Sequence, residues 1–214
     1  MKTKGGRMVV WTVGIAASLV GLWAGYTQFY EGGLGQPTYT VIERSGDVEI
    51  RRYKPFIIAS TVVKDEGQAG LSSGFRTLAG YIFGGNKPGE SIAMTAPVLQ
   101  QDKPGESLPM TAPVLQSSTG MRMAFVMPAD RAIESLPAPD DAAVSLTEVK
   151  WGDAAAIRFS GRGKQARFQS AEAELLNAVE AAGRVASGPA LYAQYNSPSA
   201  FPPLRRNEVI IPLQ

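Results

Sequence analysis

The chain has 214 residues, 44% of them hydrophobic and 19% charged, the balance of one globular domain plus a short accessory segment rather than of a disordered chain. Neither cysteine nor histidine occurs, which excludes disulfides, thiolate or histidine metal sites, a serine–histidine triad and histidine ligation of iron. Formal charge is +2, but Lys2, Lys4 and Arg7 take three of the 21 basic residues, leaving 18 against 19 acidic ones, or −1; the basicity is local and no nucleic-acid partner is expected.

Residues 1–7 form a basic N-terminus, and Met8 to Gln28 is an uncharged run with Trp11, Trp23 and Tyr26 toward its ends. A helix of about 20 apolar residues spans a bilayer, and the aromatics suit its interfaces. The run therefore reads as a single-pass anchor, its basic end cytoplasmic and the remaining chain outside the cytoplasm at an inner membrane. A cleavable signal, releasing a periplasmic or secreted domain, is the alternative. Residues 29–37, with Gly32, Gly33, Gly35 and Pro37, read as a linker to a domain over 38–214.

Tyr39–Glu43 and Val48–Tyr53 flank a turn at Arg44–Asp47 and read as a hairpin. In the second strand Val48, Ile50 and Arg52 face one way, and Glu49, Arg51 and Tyr53 the other. Phe56–Val63 is a further strand. Over Gln68–Phe83 the period changes: Leu71, Phe75, Leu78 and Ile82 make a helical stripe that stops at Gly84-Gly85, with Arg76 and Tyr81 off it. Met121–Met127, Val144–Val149 and Ala154–Ser160 read as strands and Asp130–Leu136 as a short helix. A second long helix runs over Arg162–Ala182, and strands at Leu191–Tyr195 and Glu208–Leu213 close the chain. The order predicts an α+β domain, not a doubly wound βαβ fold. Neither Gly84–Lys87 nor Gly161–Lys164 completes a phosphate-binding loop.

One stretch is written twice. Gly85–Gln100 reads GNKPGESIAMTAPVLQ and Gln101–Gln116 reads QDKPGESLPMTAPVLQ. Pro97 and Pro113 lack backbone donors, which predicts a sheet rim rather than a central ladder position. Met94 and Met110 are flexible apolar side chains that such rims can offer to a groove. Glu90 and Glu106 recur with the unit and read as solvated loop acids; no pair of groups in the sequence makes a catalytic acid–base constellation, and no enzyme is expected.

Tyr39–Tyr53 (YTVIERSGDVEIRRY) and Phe75–Gln100 (FRTLAGYIFGGNKPGESIAMTAPVLQ) resemble the SOUL haem-binding protein family, and Met121–Pro128, Ala154–Gly161 and LRRNEVIIP at Leu204–Pro212 extend the resemblance. It implies a distorted β-barrel or curved antiparallel sheet flanked by two long helices, in two similar halves. The implied activity is non-covalent binding of haem or a related tetrapyrrole in an exposed apolar groove. Animal members have a histidine considered as an iron ligand; here binding would proceed without histidine ligation and without a dedicated metal site. The candidate ligand contacts are Arg76, Tyr81, Lys87, Met94, Lys103, Met110 and Phe201, with Lys87 and Lys103 at matching positions of the duplicated unit. Arg205 and Arg206, before Asn207-Glu208, are expected to fix a closing strand through polar bonds. The alternatives are a module for lipids or other small hydrophobic ligands, and a periplasmic protein-interaction domain.

Overall fold

A computed structural model describes residues 18, 21–29, 31–63, 67–101 and 121–214. Most of the Met8–Gln28 run, and the second copy of the duplicated unit beyond Gln101, lie outside these residues. Among the described residues, no helix is long and apolar enough to cross a membrane.

The described residues form a mixed α+β domain, with three helices and one curled antiparallel sheet of nine strands forming a half-barrel. Helix α1 (residues 21–29) precedes the hairpin β1 (Tyr39–Ser45) and β2 (Val48–Tyr53), then β3 (Phe56–Val63) and α2 (Gly67–Ile82). The short β4 (Asn86–Lys87), then β5 (Val98–Gln101), β6 (Met121–Val126), the short β7 (Ala138–Pro139) and β8 (Ser145–Val149) follow. Strand β9 (Asp153–Ser160), helix α3 (Gln165–Ala181), β10 (Leu191–Gln194) and β11 (Arg206–Pro212) complete the domain. Sheet order is β1-β2-β9-β11-β10-β5-β6-β3-β8, while β4 and β7 pair apart from it. The Asp130–Leu136 stretch shortens to a 3₁₀ turn at Ile133–Ser135.

The curl follows from connectivity. Five strands lie between β2 and β3 in the sheet, about 29 Å across if it were flat at ~4.8 Å per strand. Yet only Lys54 and Pro55 connect Tyr53 to Phe56, a reach of about 11 Å at most. The two edges must therefore approach, and one sheet face turns inward. Tyr53, Phe56 and Trp151 meet there edge to face, with centroids 4.9 Å (Phe56–Trp151) and 5.2 Å (Tyr53–Trp151) apart. They cap an inner core that includes Ile58, Leu99, Val126, Leu191 and Ile210.

The outer face carries the two long helices. Helix α3 buries Phe168, Ala171, Leu175 and Val179 against Ile157, Val209 and Ile211. Helix α2 buries Leu78, Tyr81 and Ile82 against Ile57, Met123 and Phe125. Here the sequence stripe is corrected. Gly74 is buried, and a Cβ there would stand 2.5 Å from the Val63 Cγ2 methyl. The missing side chain lets the helix seat closely on β3, so the inward stripe runs through Gly74, Leu78 and Tyr81. Phe75 moves to its margin, 42% exposed, edge-on to Phe125.

The hairpin turn is tighter than expected, only Gly46 and Asp47, with Gly46 at φ +58°, as a two-residue hairpin requires. Pro97 lies where its missing donor costs least, just before β5 begins. The duplication straddles β5: Val98–Gln100 ends the first copy and Gln101 begins the second.

Candidate functional site

Glu31, Gly35 and Gln36 are hydrogen-bonded to the domain. The carboxylate of Glu31, 6% exposed, accepts hydrogen bonds from Ser197 Oγ (2.6 Å), Ser197 N (3.2 Å) and Asn196 Nδ2 (3.0 Å). Gly35 O accepts from Ala96 N at 2.9 Å, and Gln36 Oε1 from Arg206 Nη1 at 2.9 Å. Upstream, Trp23 Nε1 donates to Ser199 O at 2.7 Å, and Phe201 N donates to Thr27 Oγ1 at 2.9 Å. The Phe201 ring packs edge-on against Trp23 with centroids 4.9 Å apart; the structure gives this candidate ligand aromatic to α1.

The other candidates separate by position. Arg76 is exposed on α2 and makes no ion pair among the described residues. Ser72, Arg76, Gly80 and Phe83 recur at steps of four, four and three, one outward strip, and Phe83 is 65% exposed. A Cβ at Gly80 would meet nothing within 4 Å. Ile92 N donates to Ile82 O at 2.8 Å, and Ser91 bridges Phe83. The segment carrying the exposed Met94 therefore starts against the end of that strip. Thr95 pins it by donating to Val126 O. Lys87 is exposed on β4, beside Asn86, whose amide donates to Tyr81 O and Glu90 O at 2.8 Å each. Glu90 pairs with Arg131. Tyr81 belongs to the core: it is 2% exposed and its hydroxyl donates to Pro137 O at 2.9 Å. Lys103 and Met110 lie outside the described residues.

Sequence reasoning missed the polar end of the inner face. Arg51 and Glu208 are buried there, 2% and 0% exposed. Arg51 Nη1 and Nη2 donate to Glu208 Oε2 and Oε1 at 2.8 and 3.0 Å. Arg206 Nε and Nη2 add 3.0 and 2.8 Å bonds to Oε1, and Tyr195 OH a 2.7 Å bond to Oε2. Glu49 accepts from Arg51 Nε at 2.7 Å. Arg51 stacks over Tyr39, and Arg206 over Tyr195 at 3.9 Å. Burial alone would raise the Glu208 pKa, but the bonds and charge of Arg51, the charge of Arg206 and the Tyr195 hydroxyl hold it below the usual value. Burial works to lower the Arg51 pKa, and Glu208 with Tyr53 more than offsets that. Tyr53 is pushed up to about 12, chiefly by burial. The one sequence signal was Arg-Arg-Asn-Glu, and Arg206 does fix the closing strand as expected; Arg205 instead holds the Ala200 and Pro198 carbonyls.

A cleft of about 300 Å³ opens beside this cluster, walled by Tyr39, Arg44, Asp47, Arg158 and the cluster itself. It sits at the bottom of the usual size range for ligand pockets and is ionic rather than apolar. With five donors on its carboxylate, Glu208 has no free lone pair for a substrate proton. The apolar slot between Leu99, Ala124, Val149 and Trp151 is about 30 Å³, room for water only. The Trp151 indole N–H there is the one buried side-chain donor without a partner among the described residues.

A family model described as SOUL heme-binding protein matches residues 34–212. The chain belongs to the SOUL haem-binding protein family. No curated protein matches it. Solved structures share the fold at low identity. A hydrolase from Listeria innocua has a TM-score of 0.50 at 11% identity, covering 81% of this chain and 94% of that one. The EcmrR C-terminal domain has a TM-score of 0.51 at 13% identity, covering 82% and 98%. EcmrR in its DNA complex reaches 0.54 at 12% identity, covering 98% and 70%. These likenesses are of fold alone.

For a SOUL protein the implied group is haem. Among the described residues no cluster of histidine, cysteine, aspartate or glutamate fits a metal ion, and the chain has no histidine to offer iron. The outward strip of α2 and the adjoining rim bring exposed apolar area beside an exposed guanidinium. Phe83 and Met94 are the exposed apolar side chains there, Gly80 leaves the strip bare, and Arg76 is its cation.

Proposed function

We propose that this SOUL protein binds haem or a related tetrapyrrole non-covalently on the outer strip of α2 and the adjoining Met94 rim. Binding proceeds without histidine ligation and without catalytic turnover. The observation that carries the reading is exposed apolar area at Phe83 and Met94 on a strip whose guanidinium, Arg76, makes no ion pair among the described residues. An amphipathic acidic macrocycle needs both kinds of contact. Iron, when present, adds redox and ligand chemistry of its own; the side chains here bind and orient the ring. The uncharged run behind three basic residues supports tethering to an inner membrane, with the domain outside the cytoplasm.

Soret titration of the full chain with haemin, beside fluorescence titration with iron-free protoporphyrin, tests the reading. Saturable 1:1 binding of both is expected, weakened about tenfold in Arg76→Glu, the scale of one charge-assisted contact. Absorbance that climbs without saturation would sink it. Retention of lipid with no response to either porphyrin would favour a hydrophobic-ligand module instead.

A further inference from the structure

We infer that the ionic cleft on the inner face is a second binding site, which takes a small molecule bearing a carboxylate or a phosphate. Its floor is fixed: Arg51 and Glu208 are buried there, with Tyr39, Glu49 and Arg206 half-buried beside them. Its rim is open, with Arg44, Asp47 and Arg158 exposed. Strand register explains the rim cation. The inner positions of β9 run Ala154, Ala156, Arg158, and Arg158 pairs directly with Glu208 of β11. Two alanines leave the Arg51–Glu208 fork room to close; the next inner position brings a guanidinium to the cleft wall. The volume, about 300 Å³, suits a small organic acid.

The charges of the wall do not cancel among themselves. Four guanidiniums (Arg44, Arg51, Arg158 and Arg206) face three carboxylates (Asp47, Glu49 and Glu208), which leaves +1. The two inner carboxylates are spent. Glu208 is saturated by its five bonds, and Glu49 accepts from Arg51 at Oε2 and from Arg44 at Oε1. Arg158 makes no ion pair among the described residues, and Arg44 makes one, through Nη2. Arginine carries five N–H donors, no acceptor and a charge that pH does not remove, so what the wall has left to offer is donors. An oxyanion meets open guanidinium edges there, the geometry that carboxylate and phosphate engage bidentately. A cationic guest meets only Asp47, at the tip of the β1–β2 turn, where water screens its charge. The bonds that fix Arg51 and Arg206 hold their charge in place beneath the guest. Helix α2 packs on the opposite face of the sheet, so this site is separate from the strip proposed for the tetrapyrrole.

Saturation-transfer NMR on the full chain in detergent tests the site with benzoate, phenyl phosphate and benzylamine, three probes that share a ring and differ in head group. Saturable transfer to benzoate or to phenyl phosphate is expected, with affinity about tenfold lower in Arg158→Gln, the scale of one charge-assisted contact. Binding of benzoate alone would assign the site to carboxylates, and of phenyl phosphate alone to phosphate esters. Asp47→Asn, which removes the rim's negative charge, should tighten either anion. Saturable transfer to benzylamine that disappears in Asp47→Asn would make this a cation site and overturn the inference. Anion binding that Arg158→Gln leaves unchanged, or no saturable binding of either anion, would overturn it too. Porphyrin titration of Arg158→Gln separates this site from the outer strip. Porphyrin affinity equal to that of the unchanged chain is expected, whereas a matching loss would merge the two sites and refute a separate one.

Discussion

The Arg51 guanidinium and the Glu208 carboxylate meet fork to fork on the inner face, through bonds of 2.8 and 3.0 Å, although β9 lies between their strands. They reach across because β9 presents Ala154 and Ala156 on that face, both fully buried. The pair joins residues 157 apart in sequence and ties the first hairpin to the last strand. Removing one partner strands the other charge in the interior. Glu208→Ala is expected to cost about 3–5 kcal/mol in chemical denaturation of the full chain. Arg51→Met with Glu208→Leu should recover most of that loss; a double variant as unstable as the single one would refute the account.

Acid should act through the same carboxylate. The folded pKa of Glu208 is lowered from its ordinary value of 4.5. Its contribution to stability is therefore full above that value, shrinks as pH falls below it, and is gone once pH passes the folded pKa. Melting temperature is expected to drop on acidification below about pH 4.5, and to drop less in Glu208→Gln, which has no proton to take up at that site. Parallel pH profiles for the two chains would count against it.

Gly74 offers a test in which two effects compete. Alanine is favoured over glycine in a helix by about 1 kcal/mol. At this position its Cβ would stand 2.5 Å from Val63 Cγ2, and overpacking of a core costs about 1–3 kcal/mol. The branched methyl of Val63 sits on a strand and has little room to yield, so Gly74→Ala is expected to destabilise. A raised melting temperature would mean that α2 does not sit this close to β3.

Tyr81 and Arg76 should respond to different assays. Tyr81→Phe removes the hydroxyl bonded to Pro137 O and is expected to cost about 0.5–1.5 kcal/mol of stability with porphyrin affinity unchanged. Arg76→Glu should weaken porphyrin binding and leave stability within about 0.5 kcal/mol, as surface substitutions do. The reverse pattern would move the ligand contact from the strip to the core.

Much of this protein is legible in local pattern. The two long helices, the hairpin and most strands follow from apolar period and from Gly and Pro, because those signals act within a few residues. The family match covers residues 34–212, and Pro97 lies just before a strand because a missing donor is a local fact. Composition alone settled that no histidine or cysteine chemistry operates.

Tertiary structure decided the rest. The alternation puts Glu49, Arg51 and Tyr53 on one side of a strand without saying which side is covered, and only the curl of the sheet buries Arg51 and Tyr53 and supplies Glu208 as a counter-charge. Tyr81 lies off an apparent stripe until Gly74 shows how the helix seats, and only the folded chain brings Trp23 against Phe201. Each has one cause. A side chain's periodicity names the face it shares, whereas the partner that covers that face comes from a distant part of the chain, brought there by closure of the sheet.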